Sequence, residues 1–280
     1  MQHDVTAIDG PWTLLDGRAE VHMVPVAKDN LVWVVVCTTT REAAVVDGPP
    51  DASGVLELCE RIGARLTTVW NTHTHWDHIG INQDLGKRGL LAGMAVFGPA
   101  RKAADVPGLT HPVDDGDTAR VGEVVADVWL TEGHIDGHVS YVLDGAVLCG
   151  DTLFAGGCGY LFDGPPAKMY ASLLRLASLP PSTLVFCAHE YTLDNLAFAT
   201  FIEPGSDALT ERVARDRAVR AEGRATVPST IALERATNPF LRPGAPALVA
   251  RVAELGGDVS SPGAVFASTR ELKNRGLHKG

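Results

Sequence analysis

Four apolar, β-branched runs in this chain end on a histidine or an aspartate with a small residue beside it. Residues 66–71 run into Thr72-His73-Thr74-His75-Trp76-Asp77-His78. Residues 128–130 lead to Thr131-Glu132-Gly133-His134, residues 146–149 to Gly150-Asp151-Thr152, and residues 184–187 to Ala188-His189-Glu190. Short runs of this kind read as buried strands. Reactive groups concentrate at strand ends, where a rigid sheet holds them in place. The fold must therefore carry four strand ends, far apart in sequence, to one edge.

The donor types at these ends suit a metal. Extended residues two apart point the same way, so His73 and His75 can share one ion. The chain must then bend, because Ile79-Gly80-Ile81-Asn82 opens a helical pattern. Asp77 and His78 sit at that turn and aim at a neighbouring point. Imidazole and carboxylate together suit zinc, iron or manganese. A lone His134 or His189 would more often be an ordinary loop histidine, but the pattern repeats at four strand ends.

Further strands are expected at residues 31–37, 43–47, 95–97, 121–130 and 139–143, and helices at 52–63, 79–88 and 169–179. This is an α/β pattern with helices over the faces of sheets. After about residue 190 the strand runs vanish. Helical patterns at 207–222, 245–255 and 267–274 follow, punctuated by Pro204-Gly205, Pro239 and Pro243-Gly244.

Composition narrows the function. Hydrophobic residues make up 45% of the 280 and charged residues 21%, enough to bury a core. The net charge of −10 argues against a nucleic-acid partner, which calls for a basic face, and against an anionic membrane surface. Five cysteines with no C-x-x-C spacing suggest a reducing compartment. No signal-peptide pattern opens the chain, and the longest apolar run, residues 31–37, is too short to span a bilayer. A cytoplasmic location is expected. No G-x-S-x-G elbow, Walker loop or G-x-G-x-x-G is present, so serine-hydrolase and nucleotide-binding readings have no support.

With these motifs in view, the chain resembles the metallo-β-lactamase-fold hydrolases and, within them, the glyoxalase II (hydroxyacylglutathione hydrolase) family. T-H-T-H-W-D-H at residues 72–78 marks the superfamily. G-H-x-x-G-H at 133–138, G-D-T-L-F at 150–154, G-G-C-G at 156–159, H-E-Y-T at 189–192, N-P-F at 238–240 and R-x-x-K at 270–273 narrow it. The resemblance implies an α/β fold, an αββα metallo-β-lactamase sandwich with a small C-terminal all-α domain. Residues 1–189 would form the catalytic domain and 190–280 the helical substrate-binding domain.

The resemblance also implies two divalent metal ions, zinc first, with iron or manganese as alternatives. His73, His75 and His134 would hold one, Asp77, His78 and His189 the other, and Asp151 would bridge them. His138 would support the site without ligating. Two such ions can share a water and lower its pKa towards neutrality. Asp77 would also orient the nucleophile's proton. The implied reaction is attack by a metal-bridging hydroxide on S-D-lactoylglutathione, releasing D-lactate and glutathione. A thiolate leaves readily, which suits this machinery.

Glutathione carries two carboxylates, which an acidic protein must meet with local cations. Arg270 and Lys273, three apart on a helical pattern, share a face. The resemblance assigns them, with Tyr191, to the glutathione end. Two positions depart from the family pattern. Tyr160 stands where a Lys or Arg is common, and Phe162 where some members have Tyr. A main-chain contact at Tyr160 survives the change, but the cation does not. Cys158 reads as a packing residue of its loop. His3, His22, His111 and His278 carry no motif. A monomer is expected.

Three other readings compete. A persulfide dioxygenase of the same superfold uses one iron and lacks the second donor set that His78 and His189 complete. A β-lactam hydrolase has no counterpart to the helical tail. A non-catalytic binding protein has no use for seven convergent ligands. A hydrolase of a non-glutathione thioester stays open because of Tyr160.

Overall fold

The computed structural model describes residues 4–279; His3 lies outside them. The first sheet has seven strands in chain order: β1 (Trp12–Leu14), β2 (Ala19–Val26), β3 (Asn30–Cys37), β4 (Glu42–Val46), β5 (Arg65–Trp70), β6 (Ala95–Pro99) and β7 (His111–Val113). β1 to β4 pair antiparallel and β4 to β7 parallel. Between them lie α1 (Ser53–Ile62) and α2 (Trp76–Lys87).

β3 shows how the layers form. All eight of its residues are buried, as a strand covered on both faces requires. Alternate side chains go to opposite faces. Leu31, Trp33, Val35 and Cys37 enter the core shared with the second sheet. Val32, Val34 and Val36 enter a separate core with Val55 and Leu58 of α1 and Ile81 and Leu85 of α2.

The second half of the chain continues with β8 (Thr118–Val121), β9 (Val124–Leu130), β10 (Val139–Leu143), β11 (Ala146–Gly150), a small hairpin of β12 (Leu153–Phe154) and β13 (Gly157–Cys158), α3 (Pro166–Ala177), β14 (Leu184–Cys187) and β15 (Ser229–Thr230). The second sheet has the order β15-β14-β11-β10-β9-β8, with β11 and β14 parallel. α4 (Thr192–Ile202), α5 (Asp207–Ala221), α6 (Ile231–Thr237), α7 (Pro246–Glu254) and α8 (Pro262–Asn274) complete the chain. The result is the expected αββα sandwich with a helical C-terminal region. Among the described residues no helix is long and apolar enough to cross a membrane.

Several elements differ from the sequence expectation. Residues 121–130 are not one strand: Val121 pairs with Val124 across Gly122-Glu123, which turns the chain into the β8–β9 hairpin. α2 starts at Trp76 rather than Ile79, so Asp77 and His78 lie in its first turn. Strands do not vanish after residue 190, because β15 pairs with β14 at the sheet edge. The helical region shares a core with the sandwich. Phe198, Phe240, Leu248 and Phe266 join the core that lies between the sheets.

Candidate metal centre

The ends of β4, β5, β9, β11 and β14 meet at one edge of the sandwich. Past β5 a short non-helical segment with bends at Thr72 and His75 leads to α2, and His75, with φ −65° and ψ 151°, directly precedes the helix. The two sheets are tied together here: Val139 N–H donates to Thr72 O (2.9 Å) and the Tyr141 hydroxyl to Asn71 O (2.8 Å). Gly150, at φ +48°, turns β11 into Asp151. A Cβ there would lie 2.4 Å from Thr72 Oγ1, so only glycine fits.

Two donor groups result. His73 Nε2 and His134 Nε2 lie 3.1 and 3.0 Å from His75 Nδ1. Asp151 Oδ2 is 3.4 Å from His134 Nε2. In the second group, Asp77 Oδ2 lies 3.8 Å from His78 Nε2 and 3.5 Å from His189 Nε2. Asp151 Oδ1 is 3.5 Å from both of those nitrogens. Four ligands at about 2.0–2.1 Å around a tetrahedral ion stand about 3.3–3.4 Å apart, close to these spacings. His78 Nε2 and Asp151 Oδ1 are buried without a hydrogen-bond partner. Leaving each so costs about 1–3 kcal/mol unless something takes them up. The donor set fits divalent metal ions.

Four of the five donor imidazoles are held from behind. His78 Nδ1 donates to Asp47 Oδ2 (2.9 Å), His189 Nδ1 to Asp29 Oδ1 (3.0 Å) and His134 Nδ1 to Tyr160 O (2.7 Å). Thr72 Oγ1 donates to Asp47 (2.6 Å) and therefore accepts from His73 Nδ1 (3.0 Å). With Nδ1 bonded away from the site in all four, Nε2 is the ring nitrogen turned towards it. Asp47 lies close enough to His73 and His78 to form a third donor group, but Thr72 N, Thr72 Oγ1 and His78 already occupy its oxygens. Its part is orientation.

Burial, then the neighbouring imidazoles, push His73 far below the ordinary histidine value. Burial does the same, more mildly, to His75 and His134. These three are neutral near pH 7. Burial would lower His78 as well, but Asp151 and Asp47 outweigh it and raise the group well above the ordinary range. Burial opposes ionisation of Asp151, yet His189 and His78 hold its carboxyl far below the usual carboxylate value. His138 is not a donor to either group. It is buried, lies between Thr131 and Thr152, and accepts the Asp151 N–H at 3.2 Å.

The donors open into a cavity of about 480 Å³ walled by Trp76, Phe154, Tyr160, Phe162 and Tyr191. Phe162 packs edge-on against His75 and His134, and Tyr191 stacks on His189 at 4.7 Å. Phe154, Tyr160 and Tyr191 also line a neighbouring cavity of about 340 Å³ that reaches Arg270, Lys273 and Lys279. Arg270 is buried, with Nη1 donating to Cys158 O (3.1 Å). Lys273 bonds Asn195 Oδ1. A third cavity, of about 490 Å³, lies beside α5 and contains none of these donors.

Comparisons with known proteins agree with this geometry. Residues 28–189 match the metallo-beta-lactamase superfamily model, and residues 190–276 match the model of the hydroxyacylglutathione hydrolase C-terminus. A hydroxyacylglutathione hydrolase of Gloeobacter violaceus is 45% identical over 91% of this chain and 99% of its own length. One from Maricaulis maris is 42% identical over 91% and 97%. The chain belongs to the hydroxyacylglutathione hydrolase family. A crystal structure of ETHE1 from Myxococcus xanthus shares the fold, with a TM-score of 0.65 at 24% identity over 91% of each chain.

Within this family frame, the structure brings all seven sequence-predicted donors to one edge and places Tyr160, Phe162, Tyr191, Arg270 and Lys273 along two cavities that share Phe154, Tyr160 and Tyr191 as walls. Sequence reading missed Asp47, Asp29, Thr72, Asn30 and Lys279. Asp47 carried a signal: Ala43-Ala44-Val45-Val46-Asp47-Gly48 is a fifth apolar run ending on an acid beside a small residue. Asp29 lies in the β2–β3 connection and Asn30 opens β3, and neither carried one. His22 bonds Glu20, His111 stacks on Phe97 and His278 packs on Phe198, all outside the donor groups.

Proposed function

We propose that this chain hydrolyses S-D-lactoylglutathione and related 2-hydroxyacylglutathione thioesters, releasing the hydroxy acid and glutathione. The observation that carries the reading is Asp151. Its two carboxylate oxygens each serve a different donor group, at the mouth of a cavity that shares walls with a second one reaching the cations Arg270 and Lys273.

His73, His75 and His134 would hold one ion and Asp77, His78 and His189 the other, with Asp151 between them; imidazole and carboxylate at tetrahedral spacing favour zinc. Ions bound there supply a water of lowered pKa and polarise the acyl carbonyl. Asp77, held by Asn30 Nδ2 at 3.2 Å, orients the proton of the attacking water. Arg270 and Lys273 bind a carboxylate of the thiol arm and so fix where the thioester lies relative to Asp77. Tyr191, Phe154 and Tyr160 wall the passage between the two ends. The thiolate leaves with little acid assistance, so no separate general acid is assigned. The helical region, residues 190–280, supplies the substrate end, and residues 1–189 the catalytic edge. Five free, buried cysteines support a reducing compartment such as the cytoplasm. The site is complete within one chain, which supports a monomer acting on a small molecule.

The test is hydrolysis of lactoylglutathione beside other acyl-thiols, with metal analysis of the same preparation. We expect thioester loss with two metals per chain. One iron per chain, oxygen uptake on a persulfide and no thioester turnover would overturn the reading.

A further inference from the structure

The β12–β13 hairpin spans the metal edge. Asp151 enters it, and Tyr160, whose carbonyl holds His134 Nδ1, leaves it. From Phe154 to Cys158 every residue has a backbone group bonded by a side chain of the helical region. Asn238 Nδ2 donates to Phe154 O (3.3 Å) and Gly157 O (2.9 Å). Asn195 Nδ2 donates to Ala155 O (3.0 Å). Glu234 Oε2 accepts from Gly156 N (2.8 Å), and Arg270 Nη1 donates to Cys158 O.

Glu234 is the centre of this clamp. It is fully buried, and both oxygens are filled. Oε1 accepts from Arg212 Nη2 (2.7 Å) and Ser229 Oγ (2.5 Å); Oε2 takes Gly156 N and Asn238 Nδ2 (2.9 Å). Arg212, also buried, spends its other nitrogens on Asp216 and on Thr237 Oγ1. A buried ion pair is seldom more stabilising than apolar residues of the same volume. Apolar residues could fill this space, but they could not bond Gly156 N–H or orient Asn238 towards two loop carbonyls.

We infer that Glu234 and Asn238 are positioning residues for the metal edge. By holding the hairpin, they keep Asp151 and the Tyr160 carbonyl in register with His134. Neither touches a donor or the substrate cavities. The inference rests on the proposed role of Asp151 and His134 as metal donors.

Zinc affinity by chelator competition, read with thermal unfolding and steady-state kinetics, tests it in wild type, Asn238→Ala, Glu234→Gln and Thr237→Val. Residues that orient a ligand are expected to shift metal affinity by about 10–100-fold when lost. Asn238→Ala and Glu234→Gln should weaken zinc by that factor and lower kcat in step, with KM little changed. Thr237→Val, which loses an Arg212 contact but no hairpin bond, should lower Tm and leave zinc affinity unchanged. Asn238→Ala keeps the Glu234–Arg212 pair and carries the test alone if Glu234→Gln does not fold. Lower Tm with wild-type zinc affinity and kcat in Asn238→Ala would overturn the inference. Wild type that takes up no divalent ion would instead overturn the underlying donor assignment, and the inference with it. The metal readout needs no substrate, so it stands apart from the thioester reading.

Discussion

The two ends of the site are built on different principles. At the metal edge, the donors come from separate strand ends of both sheets, and four of the imidazoles are pinned from behind by a carboxylate, hydroxyl or carbonyl. At the thiol end, Arg270 and Lys273 come from a single helix, α8, and their partners are a main-chain carbonyl and an amide. The first end is rigid because many elements converge on it. The second depends on one helix keeping its place against α4 and the β12–β13 hairpin. Loss at the metal edge should therefore abolish chemistry, and loss at the thiol end should weaken binding and leave chemistry intact.

The largest effect that comparison predicts is at Asp151, the one residue shared by both donor groups. Asp151→Ala should lose both metals and lower kcat by about three orders of magnitude or more. Two metals per chain in that variant, by elemental analysis, would remove Asp151 from the bridge. Asp47 comes next. It touches no predicted ion, yet it holds His78 directly and His73 through Thr72. Asp47→Ala should weaken metal affinity by about 10–100-fold, with KM at saturating metal little changed. Full affinity in a chelator titration would show that rigidity at this edge does not come from the second ring of partners.

How far each end could be read from sequence follows the same division. The donors were legible because each stands in a short motif at or just past the end of an apolar run; period-two geometry pairs His73 with His75, and the family resemblance implies the division into two groups. Asp47 was hidden only by its lack of histidine neighbours. Asp29 and Asn30 depend on a tertiary approach of the start of β3 and the turn before it to the end of β14 and the first turn of α2, which no local pattern encodes. β2 was missed because Glu20, His22 and Pro25 interrupt Ala19–Val26, and only Ala19, Val21, Met23 and Val24 of it are buried. α4 was missed because its apolar residues, among them Leu193, Leu196, Phe198 and Phe201, go round the helix rather than along one stripe. The Arg270–Lys273 pair was legible from helical spacing, but its link to the hairpin through Cys158 O was not.

Lys273 gives the thiol end a pH dependence of its own. Burial, then the charge of Arg270, lower its pKa to about 8. Above that pH the side chain is neutral and loses its hold on a substrate carboxylate. KM for a glutathione thioester should rise by about tenfold between pH 7.5 and 9.5, the worth of one charge-assisted hydrogen bond. The rise should be absent in Lys273→Met. Alkaline unfolding driven by this group is not a rival cause. The unfolded chain keeps the Lys273 proton up to about pH 10.4 and the folded chain only to about 8, so this group makes stability rise with pH across the window. A flat KM profile in wild type would place the carboxylate elsewhere.

The smallest predicted effect is at Tyr160, where the two ends meet. Its side chain is half exposed and lines both cavities, while its carbonyl holds His134. One residue thus serves the metal edge through its main chain and the thiol end through its ring, and substitution separates the two. Tyr160→Lys leaves the carbonyl in place and adds a cation beside the thiol arm. An exposed charge pair is worth about 0.2–1 kcal/mol. KM for lactoylglutathione should therefore fall by about 1.4- to fivefold, with kcat and metal content as in wild type. An unchanged KM would mean that the thiol arm passes Tyr160 without approaching its side chain, leaving Arg270 and Lys273 as its charged contacts. A change in metal content would mean that the ring itself, packed on Phe162 at 4.7 Å, helps hold the carbonyl in place, and the division between a rigid edge and a looser binding end would have to be drawn beyond this residue.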